Sequence, residues 1–194
     1  MAFKESITPE EIEAMDIVAF NGPISIISTR GKAFDDAIAH LSSCRMIGFD
    51  TETKPIFNNK TQRCGTALLQ LSSETNSYLF RLHKLGLPQE LADILASNSI
   101  TKIGAAVLDD IRGLQRYNYF EAARFMDLQT FVEKYGIKDK SVKKLSAIIL
   151  GKKVSKAQQL SNWEAPELLE PQQLYAATDA WICLVMYKVL LGSY

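Results

Sequence analysis

The chain has 194 residues, 47% hydrophobic and 23% charged, which is enough apolar content for the core of one domain and too much for a disordered segment. Cationic and anionic side chains number 22 each, so the net charge is zero and no global electrostatic footprint marks a nucleic-acid or membrane-surface protein. Three scattered cysteines and two histidines argue against a disulfide framework, a zinc centre or histidine-based nucleophilic chemistry, so any metal would be held by oxygen, as magnesium or manganese prefer.

Residues 1–22 read as a lead-in to a main domain over 23–194. Thr8-Pro9-Glu10-Glu11-Ile12 combines an N-cap threonine, a proline at the first helical position and early acids, and so predicts a short helix. The same stretch is acidic and polar, without the apolar core of a signal peptide, and the chain has no run near the roughly 18 apolar residues of a membrane span. A cytoplasmic protein that avoids the membrane is expected. Asn21-Gly22-Pro23 marks a turn.

Strands and helices then interleave. Ile24–Thr29 is β-branched and strand-like, Lys32–Ser42 has helical spacing, and Met46–Thr51 is a strand followed by a polar loop over Lys54–Gly65. Ala67–Ser72 and Tyr78–Leu82 flank a Glu-Thr-Asn-Ser turn and should pair antiparallel. Pro88–Ala96 predicts a helix, Lys102–Ala105 a strand and Ile111–Tyr117 a helix. Beyond Met126 the pattern is mostly helical and ends in a long helix from about Pro171 to Leu191. An α/β domain with a mixed sheet follows. Charge is concentrated between Lys138 and Lys156, where lysines at 138, 140, 143, 144, 152, 153 and 156 face one acid, Asp139. Such a run is ordinarily a solvated surface; beside an acidic metal site it becomes a candidate contact to a phosphate backbone.

Three segments carry acids in suggestive places. Asp50 and Glu52 lie two apart on a strand and leave the same face, where an apolar run through Ile47 and Phe49 emerges. Paired carboxylates there are costly without a cation, although an isolated Asp-x-Glu is ordinarily a solvated loop edge. The doublet Asp109-Asp110 follows the apolar stretch Ile103–Val107, and either aspartate would serve as a helix cap. Tyr175 and Asp179 are four apart within the long helix and share a face, an arrangement that also suits a core phenol bonded to a carboxylate.

Taken together, Phe49-Asp50-Thr51-Glu52-Thr53-Lys54-Pro55, the segment Lys102–Leu114, and Ser161-Asn162-Trp163 ahead of Leu174-Tyr175-Ala176-Ala177-Thr178-Asp179-Ala180 resemble the three motifs of DEDD-superfamily 3′–5′ exonucleases, in the tyrosine-bearing branch. The likeness spans residues 24–191 and is nearest to the Werner-helicase-type exonuclease domain, with ribonuclease D and polymerase proofreading domains more distant. It implies a ribonuclease-H-like fold with a mixed five-stranded sheet flanked by helices. It implies metal-binding acids at Asp50, Glu52, Asp110 and Asp179, with Asp110 chosen over Asp109 because it stands six residues beyond Gly104. Tyr175 is the implied phenol that orients the attacking water.

The resemblance further implies two divalent ions, Mg2+ or Mn2+, with Asp50 bridging both, Glu52 and Asp179 completing the first and Asp110 holding the second. Thr53, Lys54 and Trp163 are the expected substrate contacts, Trp163 being equally suited to packing. The expected reaction releases nucleoside 5′-monophosphates from nucleic-acid 3′ ends, with DNA favoured and ribonuclease D-like RNA trimming the alternative. A catalytically silent nucleic-acid-binding module is the reading from another class. A helicase or polymerase would act as a partner in trans.

Overall fold

The computed structural model describes residues 3–53 and 65–192. Helix α1 (Pro9–Glu13) starts with a capping box, in which the Thr8 hydroxyl accepts from the Glu11 N–H and the Glu11 carboxylate from the Thr8 N–H. Then follow β1 (Ile24–Ile27), α2 (Lys32–Ser43), β2 (Met46–Thr53), β3 (Thr66–Ser72), β4 (Ser77–Arg81), α3 (Leu82–Leu85), α4 (Gln89–Ala96), β5 (Thr101–Gly104), α5 (Val107–Leu114), β6 (Phe125–Asp127), α6 (Leu128–Phe131), α7 (Val142–Leu150) and α8 (Glu170–Leu190).

The described strands form one six-stranded sheet in the order β1-β4-β3-β2-β5-β6. It is mixed: β2, β3 and β4 are antiparallel neighbours, whereas β1 on β4, β5 on β2 and β6 on β5 are parallel. The expected count of five strands is therefore corrected to six. The addition is β6, an edge strand of three residues pairing Lys102 with Phe125 through Gly104 with Asp127. Three residues cannot display a two-residue alternation, and the helical spacing that begins at Leu128 absorbs them in the sequence.

Helices cover both faces. On one, α2, α4 and α5 bury Phe34, Leu41, Phe49, Leu71, Phe80 and Ile111 in a common core. On the other, α7 and α8 pack over Ile103, Leu145, Ile182 and Met186. Helix α8 lies close on β2 because Gly48 has no side chain: a Cβ there would come within 1.9 Å of the Ala180 carbonyl oxygen. That contact brings residue 179 beside residue 50. The lead-in packs through Ile7 and Ile12 onto Ala147 of α7, and the Phe20 N–H donates to the Thr178 hydroxyl at 3.0 Å. No helix among the described residues is long and apolar enough to cross a membrane.

Candidate active site

Alternation along β2 sorts its last residues between the two faces. Gly48, Asp50 and Glu52 turn towards α8, and Phe49, Thr51 and Thr53 towards α5. From α8, Asp179 arrives on the first of these faces. Carboxylate oxygens of Asp50, Glu52 and Asp179 lie within 4.8 Å of one another. Tyr175, one turn earlier on α8, is buried, and its hydroxyl lowers the Asp179 carboxyl against the rise from burial.

Asp110 reaches the site from the opposite face. It lies in the first turn of α5, beyond the helix cap, which is Ala106 in the left-handed region at φ 57. The Ala106 N–H donates to Asp127 Oδ1 at 3.1 Å, tying the start of α5 to the end of β6. Asp110 Oδ1 accepts from the Thr51 hydroxyl at 2.5 Å. Its neighbour Asp109 points into solvent and pairs with Arg112 at 3.1 Å. Asp110 therefore stands outside the group of three clustered carboxylates but near enough to raise Asp50 and Glu52 electrostatically.

Burial pushes Asp50 well above the ordinary carboxylate range, with further increments from Asp179, Glu52 and Asp110. Glu52 is raised to about 8, first by burial and then by Asp179. Asp110 is raised to about 6 by burial, with the Thr51 hydrogen bond opposing the shift. Asp179 is also raised by burial, while Lys156 and the Tyr175 hydroxyl pull it down. Burial and then Asp179 lift the Tyr175 phenol well beyond its ordinary value, so it stays protonated. Asp179 Oδ1 is buried without a hydrogen-bond donor among the described residues. A cluster of all-oxygen donors, raised chiefly by burial and left with an unpartnered buried oxygen, suits a hard divalent cation.

The other expected contacts divide. Thr53 lines a cleft of about 530 Å³ with Thr51, Asp110, Arg112, Arg116 and Tyr117. Trp163 is fully buried with its ring centroid 5.9 Å from that of Tyr175, so it offers no face to a substrate base and is corrected to a packing residue. Lys54 and most of the polar loop after β2 lie outside the described residues. In the lysine run, Lys138, Lys143, Lys152 and Lys153 pair with Glu5, Glu13 and Asp16 of the lead-in, and Lys140 and Lys144 with Glu133 and Asp139. The first four tie the lead-in to α7 and the segments flanking it, and the other two lie within residues 133–144. Thr51 and Lys156 were not singled out by sequence reasoning: nothing in Asp-Thr-Glu-Thr distinguishes the threonine that will face α5, and Lys156 looks like its neighbours.

This is the fold and acid arrangement of a metal-dependent nuclease. A 3′–5′ exonuclease family profile matches residues 25–192, and the chain belongs to that family. It is 35% identical over 156 residues to Exonuclease 3′–5′ domain-containing protein 2 of Drosophila melanogaster, covering 78% of this chain and 26% of that protein. It is 34% identical over 163 residues to the bifunctional 3′–5′ exonuclease/ATP-dependent helicase WRN of Mus musculus, covering 80% of this chain and 12% of that protein. The chain thus spans a minor part of these relatives. Among solved structures it resembles Escherichia coli RNase D, an exoribonuclease involved in structured RNA processing, with a TM-score of 0.76 at 22% identity over 90% of this chain and 45% of that one. The shared fold is the ribonuclease-H-like one, and its family is divalent-metal dependent.

Proposed function

We propose that the chain is a 3′–5′ exonuclease of the tyrosine-bearing branch, removing nucleoside 5′-monophosphates from nucleic-acid 3′ ends. The observation that carries the reading is the convergence of Asp50, Glu52 and Asp179 within 4.8 Å, beside a buried, protonated Tyr175. Asp50, Glu52 and Asp179 would hold one Mg2+ or Mn2+, and Asp50 and Asp110 a second. Divalent ions so held supply phosphate charge neutralisation, a hydroxide at neutral pH and stabilisation of the departing alkoxide. The Tyr175 hydroxyl hydrogen-bonds the attacking water and aligns it with the scissile bond. That water's oxygen joins phosphorus, the 3′ oxygen of the preceding nucleotide departs and takes up a proton, and the freed nucleotide carries the phosphate at its 5′ position.

The Thr51 hydroxyl keeps Asp110 turned inward, and the cleft with Thr53, Arg112, Arg116 and Tyr117 receives the 3′-terminal nucleotide. The exonuclease domain covers 23–194 and the lead-in braces it; Lys54, next after Thr53 in sequence, would contact the substrate. DNA is the favoured substrate, on the resemblance to the Werner-type exonuclease domain, to which the chain is 34% identical against 22% for Escherichia coli RNase D. RNA trimming is the second reading, carried by the fold shared with an exoribonuclease. The joining of exonuclease and helicase in the WRN name motivates a helicase partner for this chain. Free Cys44 and Cys183 accord with a reducing, cytoplasmic setting.

The decisive experiment uses 5′-labelled DNA and RNA oligonucleotides, single-stranded and as recessed duplexes, with Mg2+, Mn2+ or EDTA. A ladder shortening from the 3′ end, lost in EDTA and in Asp50→Ala/Asp179→Ala, is the expected result. Binding without cleavage of any substrate would establish the silent nucleic-acid-binding module instead.

A further inference from the structure

A polar side chain buried under α8 needs a partner within the protein, because burial removes water as the alternative. Ser72 of β3 has one: its hydroxyl lies 2.8 Å from that of Ser77 and 3.5 Å from the Ala177 carbonyl oxygen. Two residues earlier, on the same face of the strand, Gln70 is fully buried, and neither its amide nitrogen nor its amide oxygen has a partner among the described residues. Arg81, which also lacks a partner at Nε, still donates to the carbonyls of Ala165 and Pro166. The strand register fixes what surrounds Gln70. It stands directly across from Asp50 on β2 and from Leu79 on β4. Leu68 and Leu79, on that face, pack with Tyr175 and Ala176 of α8, whereas Leu69 and Leu71 enter the core on the far side of the sheet. Directly opposed residues of an antiparallel pair leave on one face, with Cβ atoms about 5 Å apart. Of the two residues that Gln70 faces across the strands, only Asp50 carries a hydrogen-bond acceptor.

We propose that Gln70 is a positioning residue acting through Asp50: its amide N–H donates to the Asp50 carboxylate when a divalent cation occupies the site, and so fixes the direction in which that carboxylate presents its oxygens. The assignment rests on the metal site of the exonuclease reading. Asp50 already lies within 4.8 Å of Glu52 and Asp179, so small rotations of its carboxyl decide which oxygens converge. An amide suits the task because it is neutral. It gives an ionised carboxylate a charge-assisted hydrogen bond, yet brings no positive charge to repel the cation. Rotation about its last bond turns the nitrogen towards Asp50 whichever way the amide lies in the empty site. A partner of this kind, one step removed from the metal, orients the ligand that touches it. The empty site bears the cost, since the buried amide has lost its bonds to water and gained none from the protein. Gln70 therefore opposes stability before metal arrives and strengthens metal binding afterwards, two effects of opposite sign.

The test uses the full chain and two variants. Gln70→Met keeps the length of the side chain and removes both amide atoms, and Ser72→Ala removes a polar group from the same strand face, opposite Gly48. Mn2+ binding without nucleic acid is titrated, and thermal unfolding is followed in EDTA and in Mn2+. Gln70→Met is expected to bind Mn2+ about ten- to a hundredfold more weakly, because Asp50 loses the partner that orients it. Its midpoint in EDTA should equal or exceed that of wild type, since an unpartnered buried amide is gone. The rise in midpoint at a fixed Mn2+ concentration should shrink in step with the weaker binding. Ser72→Ala should bind Mn2+ as wild type does. A residue that only fills space would leave Mn2+ affinity unchanged in Gln70→Met, and that result overturns the proposal. An EDTA midpoint well below wild type would mean that the amide is already bonded in the empty site, and overturns it too. Equal weakening in Ser72→Ala would trace the effect to packing under α8, with the same consequence. If wild-type protein binds Mn2+ and shortens no oligonucleotide, the exonuclease reading fails while the titration still decides Gln70; if it binds no Mn2+, both fall.

Discussion

Two adjacent aspartates with the same chemistry have different fates. Asp109 is solvent-facing and pairs with Arg112, whereas Asp110 turns inward to the Thr51 hydroxyl and is raised to about 6 by burial. Asp110→Asn is therefore expected to lower single-turnover cleavage by about a hundredfold or more, while Asp109→Asn changes it less than about twofold. Equal losses would move the second metal ligand to another residue. Tyr175→Phe removes the hydroxyl that lowers Asp179 and is proposed to align the water. Its rate is expected to fall by about ten- to a hundredfold with the unfolding midpoint nearly unchanged, since the ring still packs on Trp163. A rate equal to wild type would exclude the hydroxyl from the reaction. The fully buried Trp163 shows what residue type alone leaves open, since an indole can stack on a base or fill a core and only its surroundings choose.

At the scale of elements, the site exists because α8 crosses β2 where Gly48 permits the approach. A Cβ at that position would fall 1.9 Å from the Ala180 carbonyl oxygen. Gly48→Ala is expected to cost about 2–3 kcal/mol in urea unfolding, as overpacking in a rigid contact does. Cleavage by the folded variant should fall as well, because a displaced α8 carries Asp179 away from Asp50. Full activity in a destabilised Gly48→Ala protein would show that the crossing serves packing alone. The elements themselves were largely legible in the sequence: long β-branched runs, the proline at the start of α8 and the capping box of α1 each announce themselves locally. The edge strand β6 was not, because three residues carry no period and hydrogen bonding to β5 alone makes them a strand.

For the molecule as a whole, the metal-free carboxylates are a liability whose size depends on pH. Glu52 would release its proton near 4.5 when unfolded and holds it to about 8 in the fold. Between those values the unfolded chain binds fewer protons, so this group's contribution to stability is greatest at the acid end and declines as pH rises to about 8. In EDTA, thermal stability is expected to fall between about pH 5.5 and 8, with Glu52→Gln flattening the decline and Mg2+ reversing it in the wild type. Identical pH slopes for wild type and Glu52→Gln in EDTA would remove Glu52 from the account. The four lysine pairs that fasten the lead-in are a separate matter: they are ion pairs at the surface, individually worth little, and their main consequence is to commit those lysines to structure.

By itself the sequence determined which residues could carry this chemistry and in what local settings: two acids on one strand face, an acid opening a helix, and a phenol and an acid one helical turn apart. Those are consequences of two-residue and 3.6-residue periods, which are written in the chain. Only the tertiary structure decided that Asp50, Glu52 and Asp179 share one space and that Asp110 approaches from the other side of the sheet beneath Thr51. The reason is physical. Contacts between residues far apart in sequence are set by the close packing of α8 on the sheet and by burial, and no local pattern encodes a distance across the fold.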